Sequence, residues 1–452
     1  MKVENKMNKI FCLSAVATLT LLFCNFTFAQ SNFTGGGDGT TWNDAANWDA
    51  GIPDNVNANI GDGFTVNLST DQDVNETDIV GDQSAGTAVV NHTAGTLGNA
   101  GWFKVGQNAG NDGTYVMTGN ATTNFAVMFV GSGGGTGVID ISDDAVLNGS
   151  GGFSGGLNPS AETFVTVNIS DNAVFNMTDF NLGTGVVNQT GGIVTASSWF
   201  AIGKDGGSGT YNISSGTVGQ TADAGDWFSV GESLPGGLSV SGDATVNAVA
   251  MGMLVGRDDG GVGTLEITGS SATINVSDLR VGIDSDGLDS PATGTLSWIA
   301  DAGGISPITS ADNTEFGMMD ATLVVDLTED AGFADIGPGG SPVEILLIDN
   351  AAPASGTFAG LAEGDSVSIG GGKSATISYA GGDGNDIVLD VLTNDGGVLG
   401  DVNCDGVVNL LDVGPFVELL ANGGFSPKAD IDENGSVNLL DVGPFVDLLS
   451  GG

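Results

Sequence analysis

The sequence predicts a mainly β protein: a single-chain parallel β-solenoid followed by a small C-terminal α-helical calcium-binding module. Three observations carry this expectation. Phrases ending in an aliphatic residue and glycine recur about every 25 residues, from "DIVG" (to Gly81) and "FKVG" (to Gly106) through to "LRVG" (to Gly282). The residues before those glycines alternate with a period of two, as half-buried strands do. Near the end of the chain, "GDVNCDGVVNLLDVGPFVELL" (Gly400 to Leu420) nearly recurs as "ADIDENGSVNLLDVGPFVDLL" (Ala429 to Leu449).

In chain order, Lys2, Lys6 and Lys9 precede the apolar stretch "IFCLSAVATLTLLF", and Thr27-Phe28-Ala29 offers a small-residue cleavage site. Residues 1–29 therefore read as a secretory signal peptide, too short in its apolar part for a membrane span. Phe23, large, stands before Cys24 where a lipoprotein site needs a small residue. The expected location is secreted, extracellular or cell-surface. Removal of Cys12 and Cys24 leaves Cys404 alone, so the mature chain is no disulfide scaffold. Acidic residues number 55 against 9 basic ones, giving a net charge of -46. Such a surface makes nucleic acid and anionic membranes poor partners and suits metal cations and solubility.

Residues 30–80 read as a cap and first coils, 81–300 as the solenoid, and 301–395 as a β region that closes it. One residue before the recurring glycine stand Val80, Val105, Val130, Leu182, Ile202, Val230, Val255 and Val281. Three before it stand Phe103, Met128, Phe180, Phe200, Phe228, Met253 and Leu279, with Asp78 as the exception. The position between is mixed (Ile79, Lys104, Phe129, Asn181, Ala201, Ser229, Leu254, Arg280), which marks an outward column. The step from Gly131 to Gly183 is double, so a degenerate copy is expected near Gly155-Gly156. After each glycine comes a second strand ("GTYVMTGNAT", "GVIDISDDAV", "GTYNISSGTV") ending in turn pairs such as Gly119-Asn120, Asp143-Asp144, Asp171-Asn172 and Gly242-Asp243. Units this short bury an apolar face only by stacking. Nine coils at a spacing of about 4.8 Å would make a rod roughly 40 Å long. A β-sandwich is the alternative, although it would not repeat one residue class in one column.

The flanks bear on family. "TWNDAANWDAGIPDNVNANIGDGFTVNL" (Thr41 to Leu68) and "GTFAGLAEGDSVSIGGGKSATISYAGGDGNDIVLDV" (Gly356 to Val391) resemble secreted bacterial β-helix proteins of the autotransporter-passenger-like type. The likeness covers residues 36–391 and implies architecture; the group includes adhesins, surface proteins and uncharacterised rods.

Chemistry is sparse in the solenoid. Polysaccharide lyases of this shape use a Lys or Arg base beside carboxylates, and hydrolases a pair of acids. The basic residues here are Lys104, Lys204, Arg257 and Arg280; Lys104 and Arg280 occupy the outward column, and Lys204 and Arg257 directly follow anchor glycines. Asp143-Asp144 and Asp258-Asp259 read as turn residues. His92, the sole histidine, takes in "VVNHTAG" the place of Gln189 in "VVNQTGG", which favours a structural role. Trp102, Trp199 and Trp227 each stand four residues before an anchor glycine and are candidate contacts to an extracellular polysaccharide, or shields for a sheet face. "GGDGNDIVL" (Gly381 to Leu389) matches one nonapeptide calcium repeat, but adjacent turns must share each ion, so a lone copy reads as a turn.

The duplicated loops carry the specific signal. Counting from Asp401, oxygen ligands fall at positions 1, 3, 5, 7, 9 and 12: Asp401, Asn403, Asp405, the Val407 carbonyl, Asn409 and Asp412, with Gly406 at the sharp turn. The second copy gives Asp430, Asp432, Asn434, the Ser436 carbonyl, Asn438 and Asp441, with Gly435 at the turn. Two calcium ions are the expected cofactors, and fewer than 60 residues with so little core should need them to fold. Each loop is followed by one apolar segment and preceded by no evident helix. This loop-helix pair resembles a type I dockerin over residues 400–450. The resemblance implies a cohesin-like protein partner met at loop positions 10 and 11, here Leu410-Leu411 and Leu439-Leu440. Those leucines either pack the halves together or line a docking surface. Gly414-Pro415 and Gly443-Pro444 place a proline early in each helix, where a kink or restart is expected.

Three functions remain open on sequence alone: a non-catalytic surface or scaffold solenoid, a dockerin-bearing polysaccharide lyase or glycoside hydrolase, and an adhesin or fibre subunit that self-assembles.

Overall fold

A computed structural model describes residues 29–81, 86–157, 163–205, 207–221, 224–257, 260–283, 292–317, 321–393, 399–403, 407–422, 426, 428–432, 434 and 436–450. The signal segment before Ala29, Asp258-Asp259, Cys404, Asp405, Gly406 and Gly435 lie outside the described residues.

The chain is mainly β, about half strand and 6% helix, and forms a parallel β-solenoid of about 10 turns. Each turn contributes three strands, not the two that the sequence resolves. The first ladder holds the strands before the anchor position, such as Phe200–Ile202, Phe228–Val230 and Met253–Val255 in parallel register. The second holds strands such as Asn111–Met117, Thr136–Ile141 and Phe164–Ile169. The third holds Val146–Gly149, Val174–Met177, Thr245–Ala248 and Thr273–Val276. The turn pairs at Asp143 and Asp171, both with positive φ, separate the second ladder from the third. Where no such pair intervenes, as in Gly185–Ala196 and Gly209–Gln220, one continuous strand serves both ladders and hides the corner. Parallel pairing throughout the coils excludes the sandwich.

The apolar column packs as predicted. Phe153, Phe180, Phe200 and Phe228 stack face to face with ring centroids 5.1, 4.4 and 4.2 Å apart. Phe153–Gly155 pairs with Met128 to Val130 on one side and Phe180–Leu182 on the other, so the degenerate copy is a full coil. The anchor N–H bonds the strand-end carbonyl one coil back, as in Gly106 to Ile79, Gly131 to Val105 and Gly156 to Val130. Gly106 shows why glycine recurs: its φ is 57°, and an added Cβ would lie 1.7 Å from the Thr136 carbonyl oxygen.

The first copy is read one residue out of register by sequence. Ile79, not Val80, pairs with Val105, and Asp78 pairs with Lys104 in the outward column. Val80 takes the anchor place, donating to the Ile60 carbonyl at 2.9 Å with φ 40°. The apparent exception of Asp78 in the apolar column disappears.

The second and third outer faces carry polar ladders. Asn212 donates to Asn188 and Asn188 to Asn168, at 3.1 and 3.0 Å, while Asn275 donates to Asn247 at 2.9 Å. Parallel ladders continue beyond 81–300 on both sides, from Gln30–Asn32 to Asn350. At the N-terminal end, Asp49, Trp42 and Asn55 bond the edges of the first strands, and Trp42 and Trp48 meet edge to face at 5.0 Å beneath them. At the other end, Ile336–Asn350, Ser374–Gly381 and Asp386–Thr393 turn antiparallel. Ser355, Ala359 and Ile369 bond the last coil's remaining strands.

Near the C-terminus stand two helices, α1 (Val413–Asn422) and α2 (Val442–Leu449). Pro415 and Pro444 fall at their third residues, and both helices continue through them. An amide there has no partner one turn back, so its absence costs no hydrogen bond. No helix among the described residues is long and apolar enough to cross a membrane.

Candidate functional site

The two acidic loops fold alike around their last ligand. The Asp412 carboxylate accepts the N–H of Asn403 at 2.9 Å and of Asn409 at 2.8 Å. The Asp441 carboxylate accepts the N–H of Asp432 at 3.1 Å and of Asn438 at 2.8 Å. In both loops the position-9 asparagine accepts the N–H of the residue two further on, Leu411 or Leu440. Its amide donates to the position-7 carbonyl, Val407 or Ser436, at 3.0 Å. These bonds wind each loop around its last carboxylate.

In the second loop, one carboxylate oxygen from each of Asp430, Asp432 and Asp441 lies within 4.8 Å of the others. Asp430 also accepts the Asn434 N–H at 3.0 Å. Burial alone would push the Asp441 carboxyl up, but the N–H groups of Asn438, Asp432 and Ile431 outweigh it and hold it below the usual carboxylate range. Three anionic carboxylates at this separation repel unless a cation joins them. The donors are hard oxygens, so the arrangement fits a divalent cation of the calcium class. All six second-loop candidates are described, as are Asp401, Asn403, Val407, Asn409 and Asp412 of the first. The acids at positions 1 and 12 of both loops are buried.

The leucines at loop positions 10 and 11 do not join the halves. Phe416 and Phe445 do, stacked at 4.1 Å above Ala429 and Ile431. Leu410 and Leu439 are 81% and 82% exposed, and Leu411 and Leu440 are nearly as open. The first alternative for these residues is thereby removed.

The three tryptophans lie on the first ladder's outer face beneath the solenoid's cations. Lys104 lies over Trp102 at 5.0 Å, Lys204 and Arg257 over Trp199 at 4.4 and 4.6 Å, and Arg280 over Trp227 at 4.7 Å. Trp102 is 50% exposed, Trp199 is partly covered and Trp227 is buried. The outward column is itself largely covered: Lys104, Ala201, Ser229 and Leu254 are buried. At its centre Glu232, 7% exposed, accepts the Trp199 indole N–H at 2.6 Å and faces Lys204 at 3.2 Å and Arg257 at 4.0 Å. Sequence reasoning overlooked Glu232. The signal was present: Lys204, Glu232 and Arg257 each follow an anchor glycine on successive coils, a charge ladder of alternating sign. Asp278, whose carboxyl is raised by burial and held back by Arg280, bonds the Arg280 Nε at 3.0 Å.

His92 is a core group. Its Nε2–H donates to the Gly95 carbonyl at 3.1 Å, which leaves Nδ1 to accept from the Tyr115 hydroxyl at 2.9 Å. Gln189 holds Tyr211 of its next coil in the same manner, at 2.7 Å. Burial lowers the His92 pKa to about 4. In "GGDGNDIVL", Gly381 to Gly384 form the turn into the last strand, and the Asp386 carboxylate caps the Asn350 N–H at 3.0 Å.

A polar depression of about 130 Å³ at the corner of the second and third ladders is lined by Asn188, Thr190, Asn212, Ser214 and Ser239 among others, without a charged group. In comparison with known proteins, no family model matches the chain, and neither a curated protein nor a solved structure does.

Proposed function

We propose that the chain is a secreted, non-catalytic β-solenoid that is attached or assembled through a calcium-dependent, dockerin-like C-terminal module. The observation that carries this reading is the duplicated wiring of Asp412 and Asp441, with Asp430, Asp432 and Asp441 converging within 4.8 Å. Calcium in each loop would neutralise the carboxylates and fix the helix that follows, so the paired leucines stand on a rigid base. Those exposed leucines support docking to a cohesin-like protein at the cell surface or in the extracellular medium. The solenoid's cations support a holding role over catalysis: each lies on a tryptophan, and Lys204 and Arg257 face Glu232, so none is poised as a base beside a cleft. Covered edges at both ends favour a capped rod over a fibre grown by end-to-end strand pairing.

Calorimetric titration of residues 30–452 with calcium chloride tests the module; two bound ions are expected, and no binding at millimolar calcium removes the proposal. A glycan array and degradation screen on residues 31–395 tests the rest. Binding through the exposed Trp102 or the partly covered Trp199, Trp227 being buried, and without cleavage fits the reading; released sugar would replace it with the enzyme.

A further inference from the structure

The two loops carry equal numbers of aspartate and asparagine ligands, exchanged between positions 3 and 5, yet differ in one neighbour. Two residues before Asp430 stands Lys428; at the equivalent place before Asp401 stands Leu399. Lys428 belongs in sequence to the second loop, but its side chain ends at the first: Nζ lies 4.0 Å from the Asp401 Oδ2. Both residues are nearly enclosed, at 4% and 2% exposure. The Gly400 N–H donates to the Lys428 carbonyl at 2.8 Å, which fixes the lysine backbone against the start of the first loop. Leu399, by contrast, packs on the Phe416–Phe445 core. Each loop supplies three aspartates from its ligand positions, so the formal ligand charge is equal. The fourth position adds Glu433 to the second loop and only Cys404 to the first.

From this asymmetry we infer that Lys428 sets an order of metal binding, in which the second loop fills first and the first loop is the weaker, tunable site. The inference rests on the calcium reading above. An ion taken by Asp401 has to share that carboxylate's field with a buried ammonium, whereas an ion taken by Asp430 meets no such charge from Leu399. Charge so close to a divalent ion is poorly screened when both partners are buried, and shifts binding by about tenfold or more. The first loop therefore reads higher calcium concentrations than the second, and its helix α1 is ordered last.

The test is calorimetric titration of residues 30–452 with calcium chloride, with helicity followed in parallel. The natural chain should bind in two separated steps; Asp412→Asn should abolish the weaker and Asp441→Asn the tighter. Lys428→Met should tighten the weaker step about tenfold, while Lys428→Arg, which retains the charge, should leave it in place. Should Lys428→Met fail to fold, Lys428→Gln carries the same expectation. Two steps of equal affinity, or a weaker step unmoved by loss of the lysine charge, would overturn the inference and leave the calcium reading standing. No binding by the natural chain would remove both.

Discussion

The solenoid and the C-terminal module are both repeats, but they solve opposite problems. The solenoid repeats a face that neighbours bury, and ten-odd coils accumulate a continuous core from Phe33 to Val391. The module repeats a ligand set only twice, and its buried core is Phe416, Ala429, Ile431 and Phe445, with partly buried valines and leucines packed against them. In the first, stability comes from stacked apolar area and parallel hydrogen bonds. In the second, the carboxylates of Asp430, Asp432 and Asp441 converge against their own repulsion, so on the calcium reading proposed above a bound cation would lend the stability. The module is therefore expected to answer to calcium in the medium, and the rod is not.

The largest effect expected is on that contrast. A chelator should abolish the helicity of α1 and α2 and expose residues 400–450 to protease, leaving the strand signal and the solenoid's unfolding midpoint unchanged. Circular dichroism with limited proteolysis checks this; an unchanged module in chelator would break the comparison.

Next in size is Phe200→Ala. It opens a gap between Phe180 and Phe228 and should destabilise the solenoid by about 3–5 kcal/mol in denaturant unfolding. Calcium binding by the module should be unaffected.

His92 is a pH-sensitive joint of the solenoid. The unfolded chain protonates His92 near 6.5, while the folded one resists until about 4. The folded state thus binds fewer protons between those values, so stability falls as pH drops from 6.5 and levels off below 4. The loss amounts to about 3 kcal/mol over the window. His92→Gln, which installs what Gln189 supplies elsewhere, should remove that component; the difference between the two unfolding curves across pH 4–6.5 is the measurement.

Glu232→Gln leaves Lys204 and Arg257 facing each other across a neutral group on a mostly covered surface. A loss of about 1–3 kcal/mol is expected, reduced by the residual exposure of Lys204, and a double-mutant cycle with Lys204→Met should show coupling. The smallest expected change is a gain. Val80→Gly relieves a β-branched residue at positive φ and should raise solenoid stability by up to about 1 kcal/mol.

Legibility followed the same division. The repeat, its apolar column and the buried face could be read because period-2 alternation is local, and a stacked coil imposes one residue class on one column. The convergence of Asp430, Asp432 and Asp441 in the second loop could be read because loop spacing places alternate side chains on one side, whatever surrounds them. The third strand escaped because strands such as Gly209–Gln220 run unbroken through the corner, where Gly216 turns at positive φ, so the segments on its two sides read as one strand. The first coil's register slipped because Val80 mimics the aliphatic that normally precedes the anchor. Sequence alone determined that this is a stacked β chain ending in two oxygen-rich loops, since both are written in short-range spacing. Only the tertiary structure decided that Glu232 gathers Lys204 and Arg257 across coils, that the leucines face outward while the phenylalanines join the halves, and that Lys428 reaches back to Asp401. Those contacts join residues distant in the chain, and packing, not local pattern, sets them.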